Sequence, residues 1–409
     1  AQPATLLQIA ARKDVRTVYA DHIHYLSDEP VVLEDLPNAS AAAGAVGWNI
    51  TSIHADQVWN ALDLTGEGIV VANMDTGVDW LHPDLYANYR GNAGHGIVDH
   101  TTSWFCATNE GYSEPLDGHG HGTHTMGTMV GHSADHAAIG VAPWARWIAV
   151  KIFSDDGLTY DSWLHAGFQW ILDPGDSGDP AWVPDVVNNS WGNSIGGDQR
   201  FRPDVKAWRA AGISPVFSAG NDGPFYGTMG SPGSYPESFA VGATTIDGYL
   251  AYFSSRGPSD WGIKPDITAP GVDVVSSYPG SRYATASGTS MAAPHVAGAH
   301  ALMLQADPSL SVAAAENILA STAVRRGTPI PNNEFGWGQL DAYQAAATAL
   351  RPGVLQGQVK RSTDGAPIST ADVLAEAFPP SEGFGQAASD NYGRYSVPLA
   401  AWTYDVTVS

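Results

Sequence analysis

The chain has 409 residues, of which 44% are hydrophobic and 15% charged, which is ample apolar material for a buried core. Its 19 Lys and Arg residues stand against 42 Asp and Glu, a formal net charge of −23 that argues against nucleic acid as a partner. No apolar run reaches the roughly 18 residues of a membrane span, and the single cysteine, Cys106, excludes an internal disulfide framework and a thiolate zinc cluster.

The amino-terminal segment reads as a short unit of its own. Apolar spacing predicts a helix over residues 6–10 and a short strand over residues 15–19. Residues 27–47 follow as a soft stretch with an Ala-rich run, a composition typical of a flexible, protease-accessible linker. The amino end shows no basic segment followed by an apolar stretch, so we expect that any secretion signal has already been removed.

From Trp48 to about residue 350, short apolar runs alternate with helical segments. The runs bounded by Gly and Asp lie at residues 69–72, 148–150, 186–187, 216–217 and 239–241. Near-continuous apolar strands are what a parallel sheet covered on both faces requires. The alternation predicts one α/β domain over residues 48–350, with a doubly wound, mostly parallel sheet flanked by helices.

The first polar residue in a place suited to chemistry is Asp75, in the segment Asp75-Thr76-Gly77. It follows the strand predicted at residues 69–72, and open α/β sheets bind their ligands just outside such strand ends. The simpler interpretation is an Asp-x-Gly turn that ends the strand.

Three histidines, His119, His121 and His124, follow Asp117 within a glycine-rich run. They are compatible with a zinc cluster to which Asp117 adds an oxygen, or with a single working histidine at a helix start. A zinc site usually needs a distant further ligand, and no second His/Glu cluster occurs in the sequence. The pattern therefore favours the single histidine.

Two further segments complete a possible catalytic set. Asn221 follows the apolar run at residues 216–217, where its amide could donate a hydrogen bond to a developing oxyanion. Ser290 opens a predicted long helix of small residues, a place where serine is ordinarily only a cap. A serine nucleophile needs a base and a carboxylate that orients the base, and the chain offers candidates in the order Asp, His, Ser, a known order for such triads.

Residues 351–409 change character again. They read as short strands with turns at residues 364–365 and 392–393, which predicts a small β-sandwich. The alternation stops in mid-strand, so we expect the natural protein to continue beyond residue 409.

The segments Asp75-Thr76-Gly77, His121-Gly122-Thr123-His124 and Gly288-Thr289-Ser290-Met291-Ala292 resemble the three signature motifs of the subtilisin family of serine endopeptidases. The resemblance covers about residues 48–349 and implies a subtilisin-like fold. It assigns His119 and His124 to structural roles. It also implies four catalytic roles, namely orientation of the base by Asp75, proton transfer by His121, nucleophilic attack by Ser290 and oxyanion stabilisation by Asn221.

Three other segments, at residues 185–192, 208–213 and 234–240, resemble the bacillopeptidase F branch, a secreted bacterial group. This resemblance implies an extracellular enzyme made with an inhibitory propeptide. Residues 1–26 would be the last part of that propeptide, with processing in residues 27–47. Residues 351–409 resemble the start of a carboxypeptidase-regulatory-like β-sandwich.

The resemblance also implies how substrate binds. In this family an extended peptide pairs with enzyme backbone as an added strand. The implied contact positions are Gly157 and Leu158 on one wall, Ser190, Trp191 and Gly192 on the other, Ala219 and Gly220 beside the oxyanion donor, and Gly230 at the floor of the primary pocket. Glycine at that floor predicts broad cleavage after large apolar residues. Asp222 at the pocket rim and Asp155, Asp156 and Asp161 near the other wall predict that cationic neighbours are tolerated or preferred. The expected partners are protein and peptide substrates and the chain's own propeptide, with a monomeric enzyme.

The implied chemistry needs no cofactor. Members of the family usually bind structural calcium, and Asp84 matches one ligand of the best-known site. The loop at residues 130–136 lacks the asparagine-rich turn that supplies other ligands of that site. Whether the chain binds calcium at this site, at another site built from its acidic residues, or not at all therefore stays open. Two rival functions also stay open, a zinc hydrolase built on the histidine cluster and a catalytically inactive binding protein with a peptidase-like core.

Overall fold

A computed structural model describes residues 3–15, 18–26, 46–132, 138–350, 353–361, 363–369, 371–377, 384–390, 394–399 and 404–408. The strands in these ranges are β1 (Ile23–Tyr25), β2 (Val70–Asp75), β3 (Asn92–Gly94), β4 (Ile97–Val98), β5 (Trp104–Cys106), β6 (Arg146–Lys151), β7 (Leu158–Tyr160), β8 (Val186–Asn189), β9 (Ser214–Ser218), β10 (Phe239–Thr244), β11 (Ile267–Pro270), β12 (Val274–Tyr278), β13 (Arg282–Ala286), β14 (Gly353–Gln358), β15 (Asp372–Ala377), β16 (Phe384–Ala388), β17 (Arg394–Leu399) and β18 (Tyr404–Val408). The helices are α1 (Pro3–Ala10), α2 (Trp48–Ser52), α3 (Ala55–Leu62), α4 (Pro83–Tyr86), α5 (His121–Val130), α6 (Asp161–Leu172), α7 (Arg202–Ala210), α8 (Thr289–Ala306), α9 (Val312–Thr322) and α10 (Ala342–Leu350).

A seven-stranded sheet forms the centre of the molecule, in the order β11-β10-β9-β8-β2-β6-β5. Every adjacent pair in it is parallel. All five apolar runs singled out in the sequence lie in this sheet, in β2, β6, β8, β9 and β10. The predicted doubly wound, mostly parallel sheet flanked by helices is therefore confirmed.

The strand order reverses at β2. The chain places β5 and β6 on one side of β2 and then crosses over it to add β8, β9, β10 and β11 on the other. A crevice forms outside the carboxyl ends of the strands where a doubly wound sheet changes direction. Asp75 is the last residue of β2 and so lies at that crevice.

Helices cover both faces of the sheet, and the alternation of β2 shows how. Val71 packs in one apolar core together with Met126 of α5 and Val296 of α8. Its neighbours in β2, Ala72 and Met74, belong to the second core, which includes residues of α6 and α7. Successive side chains of a strand point to opposite faces, so an apolar strand can supply both cores.

The amino-terminal segment contains the predicted helix as α1. The strand prediction at residues 15–19 is wrong for residues 15, 18 and 19, which are not in a strand, and residues 16–17 lie outside the described residues. The strand lies at Ile23–Tyr25 and pairs antiparallel with Leu158–Tyr160 of β7. Val18 and Tyr19 are instead exposed. A strand needs a partner edge for its backbone groups, and the edge that β7 offers decides where this strand forms. Residues 27–45 of the predicted linker lie outside the described residues.

The described carboxyl-terminal residues form antiparallel pairs, β14 with β17, and β15 with both β16 and β18. Gly365 adopts a φ of 71°, which fits the turn predicted there. The other predicted turn, at residues 392–393, lies outside the described residues, and the β-sandwich as a domain stays a prediction. Within the described part of the chain, no helix has the length and apolarity needed to cross a bilayer.

Candidate active site

Asp75 and His121 meet at the carboxyl edge of the sheet. Asp75 ends β2, and His121 is the first residue of α5, directly after Gly120, whose φ of 104° suits glycine. His121 Nδ1 lies 2.7 Å from Asp75 Oδ1, and both side chains are buried. Because a carboxylate oxygen accepts, the imidazole carries its proton on Nδ1, and Nε2 is then the basic nitrogen.

The loop after Asp75 fixes this pair. The Thr76 N–H donates to Asp75 Oδ1 at 2.7 Å, and Thr76 Oγ1 accepts the N–H of Gly122 at 2.8 Å. A Cβ on Gly122 would collide with the carbonyl of Gly77. The glycine after His121 thus allows α5 to approach the β2 loop closely enough for the hydrogen bond between Asp75 and His121.

Asp117 holds the turn that precedes α5. Its Oδ1 accepts the N–H of Gly120 at 2.7 Å, and its Oδ2 accepts the N–H and hydroxyl of Thr123 at 2.9 and 2.7 Å. The Thr76 hydroxyl donates to Asp117 Oδ1 at 2.9 Å. The sequence had suggested Asp117 only as a metal ligand, whereas the structure uses both of its oxygens to shape the turn that presents His121.

The histidine cluster does not converge on a common point. His124 Nε2 lies 3.1 Å from each of two backbone carbonyls, those of Val274 and Ala284, and therefore donates to the β12–β13 hairpin. Burial, and after it the neighbouring His121, lowers the pKa of His124 to about 4, so the ring is neutral. Over the described ranges, no group of three or more His, Cys, Asp or Glu residues could hold a metal ion.

Ser290 is the second residue of α8 and is linked to Ser190 by two hydrogen bonds. The Ser190 hydroxyl donates to the Ser290 carbonyl at 2.7 Å, and the Ser290 hydroxyl donates to the Ser190 carbonyl at 3.1 Å. Pro294 stands four residues after Ser290 inside the helix and has no N–H for that carbonyl. Ser190 therefore satisfies a helix carbonyl that the proline leaves open.

A chain of buried amides joins Ser190 to α5. Asn188 Nδ2 donates to Ser190 Oγ and to Asn73 Oδ1, each at 3.0 Å. Asn73 Nδ2 in turn donates to the carbonyl of Gly122 at 3.0 Å and to Thr125 Oγ1 at 2.8 Å. These contacts tie the start of α5 to the start of α8 across the sheet. In the sequence, Asn73 and Asn188 are visible only as amide residues next to apolar runs. Strand patterning alone does not show whether such an amide lies inside the strand or marks its end.

Asn221 lies beyond the end of β9 and beside Ser290. Its Oδ1 accepts both the N–H and the hydroxyl of Thr289, at 2.9 Å each. A backbone N–H can only donate, so the amide oxygen must face Thr289 and Nδ2 must face the other way. Nδ2 lies against Gly288, at 3.4 Å from the position a Cβ would take there. The amide is thus oriented as a donor next to the nucleophile candidate.

A cleft of about 410 Å³ opens next to these residues. Six of the predicted positions line it, namely Trp191, Gly192, Ala219, Gly220, Asn221 and Gly230. A Cβ on Gly230 would collide with the carbonyl of Asn193. Glycine at this position therefore lets the two backbone segments approach each other and leaves space in the cleft. Gly157 and Leu158 lie at the edge of β7, where β1 pairs. Ser190 is buried and acts through its bonds to Ser290.

Asp84 is buried, and its carboxylate has a protein partner. The hydroxyl of Tyr283 donates to Asp84 Oδ2 at 2.7 Å. Burial and this hydrogen bond raise the pKa of Tyr283 well above its ordinary value, so the hydroxyl keeps its proton. Calcium takes six or more oxygen ligands, and among the described residues Asp84 is not part of a group of three or more His, Cys, Asp or Glu side chains that could hold a metal ion. Residues 133–137 of the predicted ligand loop lie outside the described residues.

Asp155, one of the acidic residues expected to attract cationic substrate residues, is bonded to side chains of the protein itself. It accepts hydrogen bonds from Lys151 Nζ at 2.7 Å and from the Tyr112 hydroxyl at 2.8 Å. Burial alone would raise the pKa of Asp155, but the bonds from Lys151 and Tyr112 lower it overall. The charge of Asp155 is therefore balanced within the protein. Among the acidic residues expected to attract cationic neighbours, Asp161 directly contacts the histidines of the amino-terminal segment.

Comparison with known proteins gives the family to which the chain belongs. Residues 66–338 match the model of the subtilase family. The chain belongs to the subtilase family, and its peptidase domain is that of a serine endopeptidase, a hydrolase of peptide bonds.

Among curated proteins, the chain is 43% identical over 373 residues to bacillopeptidase F of Bacillus subtilis (strain 168), which covers 87% of this chain but 26% of that protein. The chain therefore spans about a quarter of the length of that relative. It is 37% identical over 303 residues to subtilisin Savinase of Lederbergia lenta, covering 74% of this chain and 99% of the relative. It is 36% identical over 313 residues to an alkaline protease of Shouchella clausii, with coverage of 76% and 73%.

Proposed function

We propose that this protein hydrolyses internal peptide bonds of proteins through a triad of Asp75, His121 and Ser290, with Asn221 as oxyanion donor. The observation that carries the proposal is the buried hydrogen bond of 2.7 Å between Asp75 and His121 Nδ1. It leaves Nε2 of His121 as a base, at the edge of the sheet where Ser290 begins its helix. A base held in one tautomer by a carboxylate is what activation of a serine requires.

In the proposed reaction, Ser290 Oγ attacks the carbonyl carbon of the scissile bond while His121 Nε2 takes the hydroxyl proton. Asn221 Nδ2 donates a hydrogen bond to the oxyanion that forms. His121 then gives its proton to the leaving amine as the C–N bond breaks, leaving an acyl ester on Ser290. Water attacks this ester, His121 takes its proton and returns it to Ser290, and the acid product leaves. This chemistry uses side chains alone.

Substrate binding is proposed to follow the groove between β7 and the Ser190-Trp191-Gly192 segment. An extended peptide would pair with β7 as an added antiparallel strand, as β1 does. The cleft lined by Gly220 and Gly230 would accept the residue before the cut, with large apolar side chains favoured.

The amino-terminal segment is proposed to act as an inhibitor of its own enzyme. Residues 23–25 occupy the edge of β7, line the same cleft as Asn221 and Gly230, and continue with a hydrogen bond of 2.8 Å from the Leu26 N–H to the Gly157 carbonyl. A substrate cannot pair with an edge that is already paired. Removal of residues 1–26, with cutting in residues 27–47, would therefore release activity.

We propose that the enzyme works outside the cell and as a monomer, as the family resemblance implies. Zymography of culture medium against cell extract of a producing strain tests the location, and light scattering tests the oligomeric state. Activity confined to the cell extract would reject the first of these proposals.

The catalytic proposal is tested by comparing the intact protein with Ser290→Ala. Fluorophosphonate labelling, casein hydrolysis and intact mass are measured together. We expect labelling and hydrolysis to vanish in the variant, by about 10⁴-fold or more, which is the magnitude known for subtilisin itself. A variant that also kept residues 1–26 while the parent lost them would support self-processing. Hydrolysis that survived the substitution would overturn the triad.

A further inference from the structure

Residues 22–26 lie along β7 in the manner of a bound peptide. His24 is opposite Thr159, Tyr25 is opposite Leu158, and the Leu26 N–H reaches the carbonyl of Gly157. Gly157 lies close to His119, since a Cβ on Gly157 would be 3.6 Å from Nε2 of His119. His119 in turn neighbours His121, with the ring centres 6.4 Å apart. The segment therefore runs from its amino to its carboxyl end toward the catalytic base.

One carboxylate meets two side chains of this segment. Asp161 is the first residue of α6, and its side chain is 7% exposed. Its Oδ1 lies 2.6 Å from His24 Nε2, and its Oδ2 lies 2.8 Å from His22 Nδ1 and 3.1 Å from the His22 backbone nitrogen. Residues two apart along an extended chain share a face, so one acid can contact both histidines.

Arg200 holds Asp161 in this position. Its NH1 donates to both carboxylate oxygens, at 2.8 and 2.9 Å. Burial alone would raise the pKa of Asp161, but the bonds from His24, His22 and Arg200 lower it to about 2, so it stays ionised. The charge of Arg200 offsets that of Asp161, and the pair therefore favours a hydrogen-bond donor rather than net positive charge. A carboxylate at the same place would face Asp161 with no proton to donate.

The surroundings of His24 also suit a planar ring. His24 lines a small pocket together with Phe153, Thr159 and Trp191. The ring of Phe201 lies edge-on to that of His24, with the centres 6.4 Å apart. The imidazole thus borders this pocket beside the aromatic rings, while its Nε2 reaches the carboxylate of Asp161.

We propose that Asp161, held by Arg200, is a specificity-determining residue that selects peptides with histidine at two alternate positions on the acyl side, the His-x-His pattern of residues 22–24. The inference rests on the proposed peptidase function, because substrates must use the groove that this segment occupies. It narrows the substrate class from extended apolar peptides to those that place imidazole donors against Asp161.

A double-mutant cycle between enzyme and peptide tests this. The substrate is an internally quenched peptide with the sequence of residues 19–31, and its matched variant carries His24→Leu. The enzymes are the parent, Asp161→Asn, and the control Asp173→Asn, which removes the same charge at the other end of α6. Each is produced as the full chain and assayed once intact mass shows that residues 1–26 have been cut off, so that the segment does not compete with the peptide. Active sites are titrated with a fluorophosphonate before kcat/KM is measured.

We expect His24→Leu in the peptide to lower kcat/KM about tenfold for the parent and for Asp173→Asn, but less than about twofold for Asp161→Asn. Equal discrimination by the parent and Asp161→Asn would overturn the inference. If Asp161→Asn does not fold, Asp161→Glu, which moves the carboxylate by one methylene, takes its place with the same expectation. Cleavage of casein but not of the residue 19–31 peptide would reject the inference alone, whereas failure to cleave either, with no labelling of Ser290, would reject the proposed function.

Discussion

The Ser190 hydroxyl donates a hydrogen bond of 2.7 Å to the backbone carbonyl of Ser290, in place of the helix N–H that Pro294 lacks. The proline and Ser190 thus act together. The Ser290 carbonyl has no helix N–H to accept, and Ser190, directly after β8, anchors the start of α8 at this carbonyl. Because Asn188 and Asn73 continue this contact to α5, the positions of Ser290 and His121 depend on one buried polar chain.

Replacing Ser190 by alanine removes the donor and leaves the Ser290 carbonyl buried without its partner. We expect a loss of about 1–3 kcal/mol in the free energy of unfolding and a fall in kcat of about tenfold with a smaller change in KM. Denaturant unfolding and steady-state kinetics measure the two effects. Ser238→Ala is the control, since that buried hydroxyl also donates to a carbonyl, of Pro232 at 2.7 Å, but lies outside the chain to Ser290. Equal kinetics for the two variants would show that Ser190 has no positioning role.

Asn73→Ala would break the same chain at β2. The Gly122 carbonyl and the Asn188 amide would each lose a partner, so α5 would be held less firmly against the sheet. We expect a lower melting temperature and a several-fold lower kcat, on the order of 1 kcal/mol of transition-state stabilisation. Asn88→Ala removes a buried amide bonded to the Pro143 carbonyl, and we expect it to lower the melting temperature only. A full kcat in Asn73→Ala would contradict the proposed link.

Asn221→Ala tests the oxyanion assignment. We expect kcat to fall by about 10²–10³ with KM little changed, which is the magnitude known for the oxyanion asparagine of subtilisin. Asn193→Ala is the control, because Asn193 also lines the cleft but its amide is bonded to Asp198 at 3.2 Å. A fall of less than about tenfold in Asn221→Ala would assign oxyanion stabilisation to other donors.

His300 is a buried histidine in α8 that destabilises the fold as the pH falls. Neither of its ring nitrogens has a hydrogen-bond partner among the described residues, and it lies edge-on to Phe239 with ring centres 6.0 Å apart. Burial, followed by the charge of Arg209, lowers its pKa from 6.5 to about 3. The unfolded chain therefore binds a proton before the folded one, and stability is lost as the pH falls from about 6.5 toward about 3.

His300→Leu should remove this loss. We expect the variant to be more stable by about 1–3 kcal/mol, because an unsatisfied polar group leaves the core, and its melting temperature to fall less steeply between pH 6.5 and pH 4. His124→Leu is the contrasting variant. It loses the bonds to the Val274 and Ala284 carbonyls and should be destabilised at neutral pH. A His300→Leu protein with a lower melting temperature than the parent at every pH would refute the account.

Only part of the site could be predicted from the sequence. Asp75, His121, Asn221 and Ser290 could be named as candidates because each belongs to a short motif in which glycines and strand ends stand at fixed offsets. The strands were found because a parallel sheet buried on both faces demands continuous apolar runs. These features are local, so the residues that specify them are neighbours in the chain.

The tertiary structure alone decided which side chains support the motifs. Ser190 and Ser290 are 100 residues apart in the chain, and His24 and Asp161 are 137 apart. Their contacts depend on the order of strands, on the register of β1 with β7 and on side-chain direction, none of which leaves a local pattern. For the same reason the amino-terminal strand was predicted at residues 15–19, although the edge of β7 fixes it at Ile23–Tyr25. Local sequence determined the elements and the candidate reactive residues, whereas long-range pairing determined which side chains hold those candidates and which segment lies in the groove.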